Sequence, residues 1–399
     1  MKILLTNFHD GRGGGHDTYI VAIARTLSVR HQVFIAAPGS SRLFDHARAL
    51  PGVTAVPMSF PAKIKDFPRM RAAWRTLRTL IERERFDVIH ANGSPDHRLL
   101  LLVMLWWKKP RPGIVFTKHN SIAIKRDFLT RLRATLATDE VIAVADSTAE
   151  LVRGSVYGHC PLTVVKNGVD LAKFAPRDTA VAAVKRERML GKEGAKRLVI
   201  GTISGFDSYK GTMDMIAAVA ALPADLRALV LVVVVGTEPN DEQKQSIDSL
   251  RMRDHVHVAG FVENVADYIA TFDVGFVLSF AVETVSFACR EMMAMAKPVI
   301  VTSYAGLPEN VDDGENGWIV EPRDVEALSA TLRSIIAARS QLPAIGTRAY
   351  GKAISEFSDE RFIDATEAVY RRVAPAFTAQ APFIVNSIVT RLSTSSWDA

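Results

Sequence analysis

Asp273-Val-Gly-Phe-Val-Leu-Ser-Phe280-Ala-Val-Glu283-Thr-Val-Ser-Phe-Ala-Cys-Arg-Glu291-Met-Met-Ala-Met-Ala-Lys297-Pro298 places two carboxylates eight residues apart, between an apolar run and a proline. Asp273 to Phe280 reads as a buried strand, the next few residues as a loop, and the chain from about Ser286 as a helix ending before Pro298. A helix starting there aims its free backbone N–H groups, and about half a positive charge, at the loop. Such an end suits a phosphate. Glu283 falls in the loop and Glu291 about one and a half turns into the helix. Carboxylates repel phosphate but accept hydrogen bonds from hydroxyls, so the simplest guest is polyhydroxylated and phosphate-bearing, as a nucleotide-sugar is.

Outward from this segment the same alternation repeats. On the N-terminal side, apolar runs at Lys2–Asn7, Gln32–Ala37, Val53–Pro57, Val88–Ala91, Ile114–Lys118, Glu140–Val144 and Leu162–Val165 read as strands. Helical patterns at Gly15–Leu27, Phe67–Arg85, Arg98–Trp107 and Thr148–Val156 separate them. The order restarts with strands at Arg197–Ile203, Ala228–Gly236, Val256–Gly260, Asp273–Leu278, Pro298–Thr302 and Gly317–Val320. This βαβα order predicts parallel sheets wound with helices on both faces. Two Rossmann-like units result, joined near residues 171–196, and the cleft between them is the default site.

A chain of 399 residues exceeds one ordinary core, and 48% hydrophobic content is enough to fill two. The expected division is an N-terminal acceptor domain over 1–175, a C-terminal donor domain over 176–370, and a helical segment over 371–399. That last segment is expected to return towards the first domain, within a helical stretch Phe362–Leu392 interrupted by Pro375 and Pro382. Cys160 and Cys289 lack metal-ligand spacing, which points to reduced structural thiols and a cytoplasmic setting. Met1–Phe8 is too short for a signal peptide, and the longest apolar run, Leu99–Trp107, is about half of a membrane span.

Charge is unevenly shared. Residues 1–175 carry 26 Lys+Arg against 14 Asp+Glu, and the remainder carries 23 against 29. A basic first half implies an anionic partner. Nucleic acid is disfavoured, since no RNA- or DNA-binding motif accompanies the charge. The stretch Phe67–Ile81 places Phe67, Met70, Trp74, Leu77 and Ile81 on one stripe, ringed by Arg69, Arg71, Arg75 and Arg78. It reads as a helix packed on the sheet, or as a basic surface resting on anionic membrane with Trp106, Trp107, Lys108 and Lys109.

The order and spacing of several motifs resemble the retaining GT-B-fold glycosyltransferases of family four, over about residues 1–370. The motifs are Gly13-Gly14-Gly15, Thr117-Lys-His119-Asn120, Asn167-Gly-Val-Asp170, Lys210-Gly211, Glu283-x7-Glu291, Ala305-Gly306-Leu-Pro-Glu309 and Asp313-Gly-Glu-Asn316-Gly317. The resemblance implies a fold of two Rossmann-like domains facing each other across a cleft. It also implies transfer of a sugar from a nucleoside-diphosphate-sugar, with retained anomeric configuration. The acceptor would be a glycan or lipid-linked molecule, for instance in lipopolysaccharide or surface polysaccharide assembly. A soluble small-molecule acceptor, a nucleotide-sugar epimerase of the same fold and a non-catalytic sugar-nucleotide sensor are the alternatives.

By the same resemblance, the donor site comprises Gly14, Gly15, Lys210, Gly260, Phe261, Val262, Glu283, Ser286, Phe287, Ala288 and Glu291. His119, Lys210 and Glu283 would act on the reacting centre. Lys210 faces the diphosphate, Glu283 the sugar hydroxyls, Glu291 the ribose, and Gly260-Phe261-Val262 the base. Gly14 and Gly15 otherwise read as a flexible loop, and His119 and Lys210 as structural and surface side chains. The family usually has an arginine after the strand ending near Thr202, but here the chain reads Gly201-Thr-Ile-Ser204. Either Lys210 and the helix after Glu283 then carry more of the diphosphate, or Arg290 assists. Asp312 and Asp313 lack the context of a metal site, and no cofactor or metal is expected. The setting implied is cytoplasmic, with peripheral contact to the inner membrane face.

Overall fold

The structure, a computed structural model, describes residues 1–11, 14–61 and 66–374. The first sheet contains β1 (Lys2–Thr6), β2 (Gln32–Ala37), β3 (Val53–Pro57), β4 (Val88–Ala91), β5 (Gly113–Lys118), β6 (Glu140–Ala143) and β7 (Leu162–Val164). All pair in parallel, in the order β3-β2-β1-β4-β5-β6-β7. The central strands β4 and β5 are buried along their whole length, because helices cover both faces. Their side chains therefore feed two cores, one around Ile3, Leu5 and Ile20 and the other around Leu4, Leu77 and Ile89.

The second sheet contains β8 (Leu198–Thr202), β9 (Val230–Val235), β10 (Val256–Gly260), β11 (Val274–Val277), β12 (Val299–Thr302) and β13 (Gly317–Val320). Its order is β10-β9-β8-β11-β12-β13, again all parallel. In each sheet the winding reverses next to the first strand, at β1/β4 and at β8/β11. The loops leaving those strands open a crevice at the carboxyl edge of each sheet. The two crevices face each other, and this is the GT-B arrangement.

The observed strands agree with the expected ones to within about two residues at each end. Two helices, Arg42–Ala49 and Phe128–Leu136, are additional to the expected elements. Each spans about two turns, too short for a hydrophobic period to stand out, yet each has a capping side chain. Ser41 accepts from the Phe44 N–H at 3.2 Å and Asp127 from the Thr130 N–H at 2.8 Å. The helix expected from Arg98 begins at Ser94, with Pro95 in its first turn.

The return to the first domain also starts earlier than residue 371. The chain crosses at Ser358, where the Val169 N–H donates to Phe357 O at 2.7 Å and the Asp359 N–H to Val169 O at 3.2 Å. Both crossings thus lie side by side. The helix Asp359–Val373 then packs on the first domain, its Tyr370 hydroxyl 2.6 Å from His90 Nδ1 and its Glu367 2.9 Å from His31 Nε2. The part of the expected helix from Pro375 to Leu392 lies outside the described residues. The first crossing leads into Thr179–Lys196, a helix with no buried residue that breaks at Gly191, φ 74°.

Candidate functional site

Between the domains lies a cleft of about 1630 Å³. That exceeds the roughly 300–1,000 Å³ of a pocket for one small ligand, and leaves room for two reactants. Gly14, Gly15, His119, Lys210, Glu283, Ser286, Phe287, Ala288 and Glu291 all line it. Gly260, Phe261 and Val262 do not. They leave β10, the outer strand of the second sheet, two strands from β8. There Phe261 is 84% exposed, and a Cβ on Gly260 would stand 3.1 Å from the Glu238 carboxylate.

The second-domain wall is built as the segment after β11 suggests. The helix runs Phe287–Ala294 with Ser286 as its N-cap, accepting from the Cys289 N–H at 3.4 Å. Ser286 has φ 48° and Val282, β-branched, has φ 65°. Non-glycine residues in this region cost about 1–3 kcal/mol each and cluster at ligand sites. The loop between them carries Glu283, whose carboxylate accepts from Lys210 Nζ at 2.5 Å and Ser279 Oγ at 3.3 Å.

Lys210 ends a short 3₁₀ turn, and Gly211 starts the helix Thr212–Ala220 with φ 69°. A Cβ on Gly211 would lie 2.2 Å from Leu278 O, so only glycine lets this turn press against β11. Lys210 and Glu283 are each less than one-fifth exposed. Glu291 accepts no hydrogen bond among the described residues, and burial lifts its carboxyl to about 7, with Lys173 opposing.

Arg290 is not available to a phosphate, contrary to the expectation. It is fully buried, donating to Asn310 Oδ1 at 2.8 Å and Asn167 O at 2.5 Å, with its guanidinium 4.2 Å from the Phe357 ring centre. The reason is phase. One residue before Glu291 on the helix, Arg290 points about 100° away, into the packing between the domain crossings. Asp312 likewise serves structure, pairing with Lys352 at 2.8 Å and accepting from Asn316 at 2.6 Å.

The first-domain wall holds rings. His9, His16 and His119 form a row, His9 edge-on to His16 at 4.6 Å and His16 tilted against His119 at 4.2 Å, and Tyr19 meets His119 edge-on at 4.6 Å. Burial pushes His16 down to about 3, with His9 adding to the effect. It holds His119 well below the ordinary value, helped by His16, His90, His9 and Lys118. These rings are neutral near pH 7. His119 Nε2 lies 3.0 Å from Asn92 Oδ1, and its carbonyl accepts from Thr284 Oγ1, across the cleft, at 2.9 Å.

Two more contacts tie the walls together. Ser121 Oγ donates to Glu283 O at 3.3 Å. Glu309 of the second domain accepts from the Asp146 and Ser147 N–H groups, both at 2.8 Å, at the start of the first-domain helix Asp146–Arg153. His9, His16, Thr284 and Glu309 are additional to the expected site residues. Glu309 and Thr284 stand inside the motifs Ala305–Glu309 and Glu283–Glu291, but nothing local shows that their partners lie in the other domain.

The stripe Met70, Leu77 and Ile81 is buried in the first-domain core, and Trp74 donates to Leu102 O at 3.0 Å. Phe67, Arg69, Arg71 and Arg75 remain exposed. Among the described residues no helix is long and apolar enough to cross a membrane.

Two facing Rossmann-like domains with a polar site in the cleft define the GT-B class of glycosyltransferases. Residues 13–173 match the family described as Glycosyltransferase Family 4, and residues 185–352 match Glycosyl transferases group 1. The chain belongs to this glycosyltransferase family. It is 25% identical over 378 residues to the lipopolysaccharide core biosynthesis glycosyltransferase LpsE of Rhizobium meliloti, covering 92% of this chain and 97% of that one. It is 26% identical over 288 residues to an MMP alpha-(1->4)-mannosyltransferase of Mycolicibacterium hassiacum, covering 71% of this chain and 64% of that protein. Among solved structures, Anabaena Alr3699/HepE in complex with UDP superposes with a TM-score of 0.76 at 20% identity, covering 92% and 99% of the two chains.

Proposed function

We propose that this glycosyltransferase takes a sugar from a nucleoside-diphosphate-sugar and transfers it, with retention, to a phosphorylated or lipid-linked glycan. The carrying observation is the grouping of Lys210, Glu283 and Glu291 around the start of the Phe287–Ala294 helix, which lines the cleft opposite His119. The diphosphate sits at that helix end and takes Lys210 as its counter-charge. Lys210 then leaves Glu283, whose freed carboxylate accepts from sugar hydroxyls, while Glu291 accepts from the ribose. As the bond to the leaving group breaks, Lys210 and the helix N–H groups stabilise the charge developing on the diphosphate. A diphosphate oxygen takes the acceptor's proton on the face it leaves, which gives retention.

LpsE works in lipopolysaccharide core biosynthesis, as its name states. This supports a role in bacterial surface polysaccharide assembly at the cytoplasmic face of the membrane. Exposed Phe67, Trp106, Arg69 and Arg71 supply the apolar and basic groups for contact with anionic lipid.

A thermal-shift panel of UDP-, GDP- and ADP-sugars identifies the donor, and NMR of the product reports its anomer. Stabilisation by one donor, lost in Lys210→Ala, with a retained anomer, is expected. Interconversion of the sugar-nucleotide without acceptor assigns an epimerase instead. Binding without nucleotide release assigns a sensor.

A further inference from the structure

Asn92 follows β4, is buried, and lines the cleft beside His119. Its Nδ2 donates to Thr6 O at 3.2 Å and to His90 O at 3.3 Å. Both partners are carbonyl oxygens, which only accept, so turning the amide over would set oxygen against oxygen at both places. Oδ1 is thereby fixed on the side of His119, 3.0 Å from Nε2. An amide oxygen also only accepts, so Nε2 is the ring nitrogen that carries the proton.

The backbone around Asn92 is held from behind. Asp96, fully buried in the helix Ser94–Met104, accepts through Oδ2 from the N–H of Asn92 at 2.9 Å and of Gly93 at 3.2 Å. The same oxygen accepts from Thr6 Oγ1 at 2.6 Å, which ties this turn to the end of β1. The amide that faces His119 is therefore pinned through its side chain and its main chain alike.

Burial keeps the His119 ring neutral near pH 7, so it has one N–H and one lone pair. With the proton on Nε2, the lone pair is on Nδ1. That nitrogen has no hydrogen-bond partner among the described residues and is not sealed off by packing. The His119 carbonyl accepts from Thr284 Oγ1 at 2.9 Å, which brings the ring beside the loop of Glu283. A lone pair there attracts the hydrogen of a hydroxyl and repels an anionic oxygen. An N–H at the same place would do the reverse, and would draw a diphosphate across the cleft.

We propose that Asn92 is a positioning residue that holds His119 as the Nε2–H tautomer, so that Nδ1 meets a hydroxyl of the donor's sugar and not a phosphate oxygen. The proposal rests on the glycosyl-transfer reading of the cleft. It adds that the tautomer is built into the free protein and fixes which end of the donor faces which wall.

Nitrogen-15 NMR of histidine-labelled protein tests this, because protonated and bare imidazole nitrogens resonate far apart. The His119 signals are assigned by their loss in His119→Phe. In the free protein at pH 7, Nε2 should be protonated and Nδ1 bare. The nucleotide-sugar that stabilises the protein most in the UDP-, GDP- and ADP-sugar panel should then move the Nδ1 signal, and its nucleoside diphosphate alone should leave it in place.

Asn92→Leu removes the amide and should let the proton distribute over both nitrogens. Calorimetric titration should show its preference for nucleotide-sugar over bare nucleoside diphosphate falling about fivefold, with the affinity for the diphosphate unchanged. Asn92→Asp keeps an oxygen opposite Nε2 and should keep the tautomer. A proton on Nδ1 in the free wild-type protein overturns the proposal. So does a Nδ1 signal moved equally by the bare diphosphate, or an Asn92→Leu variant that loses both affinities by the same factor. If Asn92→Leu does not fold, Asn92→Asp and the wild-type spectra decide. Failure of the donor reading shows separately, as no stabilisation by any nucleotide-sugar in a protein whose free spectrum still has the proton on Nε2.

Discussion

Among the described residues that line the cleft, the second domain offers Asp207, Glu283, Glu291 and a single lysine, whereas the first offers Arg98, Lys118, Lys125 and Arg133 against Asp17 and Asp127, beside three histidines that burial keeps neutral. The second wall is thus rich in acceptors for hydroxyls, and its positive charge is concentrated in Lys210 and one helix end. The first wall is rich in cations and poor in carboxylates. The opposite signs of the two halves of the chain come to a focus here, on facing surfaces a few ångströms apart. A sugar and its ribose suit one wall, and an anionic acceptor the other.

The sharpest way to break this contrast is to remove Lys210, the one cation on the second wall among the described residues. Lys210→Ala should lower kcat by about 10²–10³, the loss typical of one donor aimed at developing charge. Steady-state turnover with the identified donor checks this, and a change under threefold would mean the diphosphate is neutralised elsewhere. Arg290 tests the same wall from behind. Arg290→Ala should cost about 3 kcal/mol of folding stability, because Asn310 Oδ1 and Asn167 O lose their buried donor and a cavity opens against Phe357. Denaturant unfolding reads it. Donor affinity that falls as much as in Lys210→Ala would return Arg290 to the site.

Glu291 gives a pH signature. Its carboxyl is raised to about 7, so from its ordinary value up to about 7 the folded protein keeps a proton that the unfolded chain has released. Rising pH therefore erodes stability across that window, and ionises the group that ribose hydroxyls need. Donor affinity should rise about tenfold from about pH 6 to about pH 8 in wild type and stay flat in Glu291→Gln. Calorimetric titration at both pH values decides, and parallel slopes would remove Glu291 from the ribose. The smallest effect is expected where the walls touch. Glu309→Gln weakens a carboxylate cap on the Asp146–Arg153 helix, worth about 1 kcal/mol. Thermal unfolding should show it, and no change would mean the cap is filled by water.

Much of the contrast is legible in the residues themselves. The strand-loop-helix around Glu283 and the period of each buried strand depend on neighbours in sequence, and they appear as read. The structural role of Arg290 is not legible locally, because its partners, Asn167 and Asn310, come from distant loops that only the domain crossings bring near. The same holds for the row of histidines. His9, His16 and His119 leave two different strands, and nothing in their spacing announces that the rings will meet or that burial will discharge them. Gly260–Val262 shows a third limit, since a motif at a strand end does not reveal how far along the sheet that strand lies.

The paired crossings at Val169 and Ser358 have one more consequence. Since the helix Asp359–Val373 is built into the first domain through Tyr370, Glu367 and Arg372, each domain contains a piece of chain from the other side of the exposed linker helix Thr179–Lys196. A break in that linker would leave two interlocked fragments, clasped by a helix that neither can shed without exposing its own core. The linker itself is anchored on the second domain, where Arg186 pairs with Asp273 at 2.8 Å and Lys185 with Asp267 at 2.5 Å, while the clasp holds the two walls together at the crossings.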